Sequence, residues 1–177
     1  MMKRLYDWIM GLAASDRAPA ALFWVSFVES SFFPIPPDVM LIPMVIAQRL
    51  KAWWYATIAT IGSVIGGAFG YAIGYFAFES IGKPILYGKS ESFGEFTQWF
   101  NEWGVWILIA KGWTPFPYKV LTITAGVTQM PFLEFMLASV VARAMRFYLV
   151  AGLLYFFGEP IRDFIEKRLT LVTSVFV

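Results

Sequence analysis

The chain contains no cysteine and no histidine. That removes disulfides, Cys- or His-ligated zinc, cysteine nucleophiles and Ser-His-Asp catalysis, so neither a cofactor nor an enzyme is expected. Charge is scarce as well. Asp, Glu, Lys and Arg make up 15% of the 177 residues, and a net charge of +2 is too small to imply a nucleic-acid partner. The first residues scatter Lys3, Arg4, Asp7, Asp16 and Arg17 among apolar ones, unlike the ordered regions of a signal peptide. What fills the chain is 59% hydrophobic and 19% aromatic, with a mean hydropathy of +0.64. That composition belongs to an all-α integral membrane protein.

Two stretches are near copies. Residues 34–42 read Pro-Ile-Pro-Pro-Asp-Val-Met-Leu-Ile, and residues 115–123 read Pro-Phe-Pro-Tyr-Lys-Val-Leu-Thr-Ile. Pro34, Pro36, Val39 and Ile42 fall on Pro115, Pro117, Val120 and Ile123, and Asp38 falls on Lys119. Prolines break helices, and a proline-broken apolar segment repeated in both halves points to a transporter's midplane site. The matched acid and base are expected to face each other there.

Residues 20–47 are almost uncharged, with Pro34, Pro36 and Pro37 in their middle. As a helix, the arm 20–33 is about 21 Å long, short of a hydrocarbon core of about 30 Å. The segment is either one broken span or a re-entrant hairpin, and arm length favours the hairpin. Residues 48–51 form a basic turn, followed by an interfacial aromatic cluster of Trp53, Trp54 and Tyr55. Residues 53–78 are long enough to span and carry Gly62, Gly66, Gly70 and Gly74 on one face. Small residues at that spacing let another helix approach closely, so packing against the broken segments is expected.

Residues 81–103 are a polar interruption. Ser92 and Glu95 resemble a capping box, and Phe93, Phe96, Phe100 and Trp103 share one face, as in an interfacial amphipathic helix. Residues 104–128 repeat the earlier design around Pro115 and Pro117. A second span covers 132–157, ended by Gly158-Glu159-Pro160. The expected division is an N-terminal interfacial helix or linker (1–19), a membrane domain (20–160) and a tail (161–177). The domain holds repeats at 20–80 and 104–157 around the linker 81–103. Lys and Arg outside the apolar segments fall eight on one side of the membrane and two on the other. That bias puts both termini in the cytoplasm in either model.

Six ionisable residues lie inside apolar segments: Glu29, Asp38, Lys111, Lys119, Arg143 and Arg146. Such residues are costly in a membrane and are usually functional. Glu29 and Lys111 would neutralise each other if their arms pack together, leaving a structural ion network as the rival to a transport pathway. Arg143 and Arg146 share a helix face. Two acids against four bases favour an anion, and the arginine fork suits phosphate oxygens.

Taken together, Glu29-x-x-x-x-Pro34-x-Pro36-Pro37-Asp38, the glycine run through Gly70-Tyr71-x-x-Gly74-Tyr75, and Pro115-x-Pro117-x-Lys119 leading to Ala125-Gly126 resemble the DedA family. These are bacterial relatives of the VTT-domain (SNARE-associated) lipid scramblases, and the chain looks closest to the short YqaA-like branch. The resemblance covers residues 20–160. It implies an inverted repeat of two re-entrant hairpins, each followed by a transmembrane helix, in the bacterial inner membrane. Its functional acids map to Glu29 and Asp38, and its paired arginines to Lys111 and Lys119. A lysine lacks the bidentate fork, and Arg143 and Arg146 are the guanidinium groups at hand. The favoured function is transport or scrambling of a phospholipid or polyprenyl phosphate between leaflets, with protons as a candidate coupling ion. The rivals are a proton-coupled small-ion antiporter and a non-transporting assembly factor.

Overall fold

A computed structural model describes residues 15–32, 36–82, 90–112 and 117–175. The expected N-terminal helix falls almost wholly outside them, as do Pro34 and Pro115. The described residues form six α-helices: α1 (Ala18–Ser31), α2 (Asp38–Ala47), α3 (Ala52–Ala77), α4 (Ser90–Gly112), α5 (Tyr118–Val127) and α6 (Phe132–Val175). A 3-10 turn at Arg49–Lys51 leads into α3, and a π turn at Phe78–Gly82 follows it. Among the described residues, two stretches are long and apolar enough to cross a membrane, Arg49–Ser80 and Phe132–Gly158. On α3 the exposed side chains include Ile61, Ile65, Phe69, Ile73 and Phe76. They form a stripe about a quarter turn from the glycine face, an apolar ridge suited to lipid rather than water.

Contacts along the helices fix their directions. Gly62 abuts Phe23, Gly66 abuts Phe27 and Gly70 reaches Ser30, so α1 runs parallel to α3. Gly67 meets Tyr118, Gly70 meets Thr122 and Gly74 meets Ile123, which makes α5 parallel to α3 too. α6 is antiparallel to it: Tyr71 packs on Phe132 and Phe135 at one end, Trp53 on Tyr148 and Tyr155 at the other. Asp38 binds Arg146 while Arg49 binds Tyr155, so α2 runs with α6. Gly104 touches Met130 while Gly112 touches Ala142, so α4 does too. Thus α1, α3 and α5 point one way, and α2, α4 and α6 the other.

Two apolar clusters sit at opposite ends of α3. One joins Leu22, Leu41, Met44, Tyr55 and Phe147. The other joins Leu108, Tyr118, Leu121, Met130 and Phe135. The approach along α3 is close because glycine permits it. A Cβ on Gly66 would overlap the Phe27 backbone, and one on Gly74 would land on the Ile123 carbonyl. The turn between α5 and α6 is a Schellman motif. Met130 N–H donates to Ala125 O (3.0 Å), Gln129 N–H to Gly126 O (3.1 Å), and Gln129 takes a left-handed φ of 53°.

Three expectations about boundaries are corrected. The amphipathic stretch 92–103 and the apolar arm from Gly104 form one uninterrupted helix, α4. Phe100 and Met130 pack beside Gly104, and the backbone of Ser92 lies within this helix, which is already helical at Ser90. The second span, Phe132–Gly158, ends where expected, but the helix does not stop there, since α6 continues to Val175. A proline at 160 removes the N–H that would bond the Phe156 carbonyl. The guanidinium of Arg49 reaches that carbonyl (Nη2, 3.4 Å) and also the neighbouring Tyr155 carbonyl. A distant side chain thus supplies donors at the point where the helix has lost one.

Candidate functional site

Between the two apolar clusters lies a polar one, assembled where the broken segments meet α6. Arg143 is 2% exposed, its guanidinium centred 4.5 Å from the Tyr118 ring and 4.7 Å from the Phe147 ring. Those rings belong one to each apolar cluster, so the cation is held between the two cores. Cation–π contacts of this kind strengthen when water is excluded. Arg143 Nη2 donates to Glu29 Oε2 at 2.9 Å. Its Nη1 points at the Gly112 carbonyl at 3.5 Å, one of the carbonyls that the end of α4 leaves without a helical donor.

Glu29 is held by more than the arginine. Ser30 Oγ lies 3.1 Å from the same Oε2 and 2.5 Å from Ser63 Oγ on α3, and both serines are fully buried. Ser31 Oγ donates to the Gly66 carbonyl at 3.0 Å. The end of α1 is therefore pinned to α3 by hydroxyls as well as by glycine contacts.

One turn further along α6, Arg146 Nη2 binds Asp38 Oδ2. This second ion pair is more open, with the side chains 17% and 21% exposed. Asp38 stands in the first turn of α2, directly after the break. Its other oxygen, Oδ1, is buried with no hydrogen-bond partner among the described residues. Lys119, at the start of α5, donates from Nζ to the Phe32 carbonyl at 3.4 Å, which ties the second break to the first.

A family model described as "VTT domain" matches residues 35–156. The chain belongs to the VTT-domain (DedA) family. This VTT-domain protein is 42% identical over 156 residues to a protein of Haemophilus influenzae described as uncharacterized, a match covering 86% of this chain and 81% of that one. It is 46% identical to a Histophilus somni protein, over 88% and 82% of the two chains. It is also 30% identical over 134 residues to undecaprenyl phosphate transporter A of Bacillus subtilis, covering 68% of each chain. No solved structure matches it significantly.

Of the six ionisable residues singled out from the sequence of this VTT-domain protein, four form two ion pairs. The partners differ from those expected. Glu29 is bound by Arg143 instead of Lys111, which is exposed on the last turn of α4. Asp38 is bound by Arg146 instead of Lys119. The reason is reach: α6 passes both breaks, and two arginines one turn apart meet both acids. Pro36, Pro37 and Pro117 flank the breaks, and Pro37 and Pro117 immediately precede α2 and α5. Gly62 and Gly66 lie against α1, while Gly70 and Gly74 lie against α5, Gly70 also touching Ser30. Sequence reasoning passed over Tyr118, Ser30, Ser63 and Thr122. The signal was present in part: Ser26 and Ser30 stand four apart in an otherwise apolar arm, and Tyr118 lies between Pro117 and Lys119.

Proposed function

We propose that this protein is a membrane transporter that carries a phosphate-bearing lipid between leaflets through the polar cluster at its two helix breaks. The observation that carries the reading is the pair of arginines on α6, each meeting an acid beside the first break inside an apolar bundle. Ionised groups at membrane depth need a use to offset their cost, and arginine is the side chain best matched to phosphate. The relative named as an undecaprenyl phosphate transporter supports a lipid phosphate as cargo. Only the headgroup has to pass the cluster, because the tails stay in the bilayer.

The helix directions support two re-entrant hairpins. α1, α2 and α5 have 14, 10 and 10 residues, about 21, 15 and 15 Å, none of which reaches across a core of about 30 Å. The helices on either side of each break, α1 and α2, and α4 and α5, run antiparallel, as the arms of a hairpin would. The set α1–α2–α3 points opposite to the set α4–α5–α6, which is the relation of an inverted repeat. The charge bias supports cytoplasmic termini in a bacterial inner membrane. The deciding experiment is headgroup flipping by purified protein in liposomes, with and without a pH gradient. Flipping of a phosphate lipid that exceeds that of a neutral lipid is expected. Proton-coupled ion flux without lipid movement would replace this reading by an antiporter.

A further inference from the structure

The two ion pairs are built differently. Arg143 lies over two aromatic rings, and its carboxylate partner Glu29 is held in turn by Ser30 and through it by Ser63. Side chains from α1, α5 and α6 and a carbonyl of α4 converge on that one guanidinium. At 2% exposure it offers a ligand almost no surface. Arg146 and Asp38 are more open, at 17% and 21% exposed against 2% and 13% for Arg143 and Glu29. Asp38 uses one oxygen on Arg146, while the other has no hydrogen-bond partner among the described residues. It also sits at the first residue of a ten-residue helix, directly after Pro37.

A carboxylate and a phosphate are the two anions that a guanidinium fork binds in the same way. Both cannot occupy one fork, and two like charges pressed together repel. We propose that Asp38 is a built-in stand-in for the lipid phosphate. It occupies Arg146 when no headgroup is present, is displaced when one arrives, and returns to release it. Arg143 and Glu29 are then the fixed strut, with Tyr118 and Phe147 as positioning residues, and Arg146 is the exchanging site. The inference rests on the lipid-phosphate reading above. It adds to it that the protein holds its own competitor and so trades affinity for release.

A built-in competitor lowers apparent affinity by the fraction of sites that it occupies. The full-length protein in detergent is titrated with phosphatidate, with diacylglycerol as the uncharged control, and binding is read as a shift in unfolding temperature. Asp38→Asn is expected to bind phosphatidate about tenfold more tightly than wild type, while Asp38→Glu stays near wild type. In liposomes the same Asp38→Asn variant flips phosphatidate more slowly, since release has lost its driver. Each variant is compared with itself with and without lipid, so a lower starting stability does not obscure the result, and Asp38→Ser serves if Asp38→Asn does not fold. Phosphatidate binding by Asp38→Asn, or by Asp38→Ser in its place, that is equal to or weaker than wild type overturns the stand-in role and leaves the transporter reading in place. No preference for phosphatidate over diacylglycerol in wild type or variants overturns both.

Discussion

Thr122 and Ser30 join the two broken segments directly. The Thr122 hydroxyl on α5 lies 3.1 Å from the Ser30 carbonyl on α1, across 92 residues of sequence, and 2.9 Å from the Lys119 carbonyl. Ser30 is in the last turn of α1, where carbonyls have no helical donor. Thr122→Val keeps the shape and removes the donor. It should destabilise the protein by about 1–2 kcal/mol, read from thermal unfolding in detergent, with Thr122→Ser close to wild type.

Removing either member of the Glu29–Arg143 pair leaves a buried charge without its partner, at a cost on the order of 3–5 kcal/mol. Glu29→Gln together with Arg143→Gln should therefore be better tolerated than the sum of the single changes. Arg143→Lys keeps charge but gives up the flat stacking between Tyr118 and Phe147, so it should lower stability and not merely slow transport. Additive single-mutant losses would show that the pair is not coupled.

For the second pair, a double-mutant cycle of Asp38→Asn with Arg146→Gln should give a coupling energy of about 1–3 kcal/mol. The parallel cycle of Asp38→Asn with Lys119→Gln should be additive within about 0.5 kcal/mol. Arg146→Lys should impair flipping while leaving the protein folded and inserted. Normal flipping by that variant would remove guanidinium geometry from the transport step.

Gly74→Ala places a methyl on the Ile123 carbonyl and should cost about 1–3 kcal/mol through displaced backbone, whereas Gly94→Ala meets nothing within 4 Å and should be neutral. Comparison of their unfolding temperatures tests the close approach of α3 and α5.

Topology is open to a single label because the chain has no native cysteine. With re-entrant hairpins and cytoplasmic termini, Ser92→Cys reacts with an impermeant maleimide in intact cells. Labelling only after the membrane is permeabilised would reverse that assignment.

Much of this arrangement was legible in the chain. The echo between residues 34–42 and 115–123 marked both breaks, and intramembrane charge marked Glu29, Asp38, Arg143 and Arg146. The pairings were not legible. They depend on where α6 lies against α1 and α2, separations of 114 and 108 residues that no local pattern encodes. The continuation of α6 past Pro160 was hidden for the same reason, since the compensating donor is Arg49, far off in sequence. Tyr118 looked like one of eight tyrosines until its ring was seen against a guanidinium.

The order of synthesis gives those separations a consequence for biogenesis. Glu29 and Asp38 leave the ribosome more than a hundred residues before the arginines that neutralise them. During that interval the first half carries two acids with neither of these counter-ions, and acids at membrane depth are costly. Its short arms therefore have reason to linger near the membrane surface until α6 emerges. A message truncated ahead of residue 132 would yield a half-protein that cannot complete this step, a natural substrate for membrane quality control.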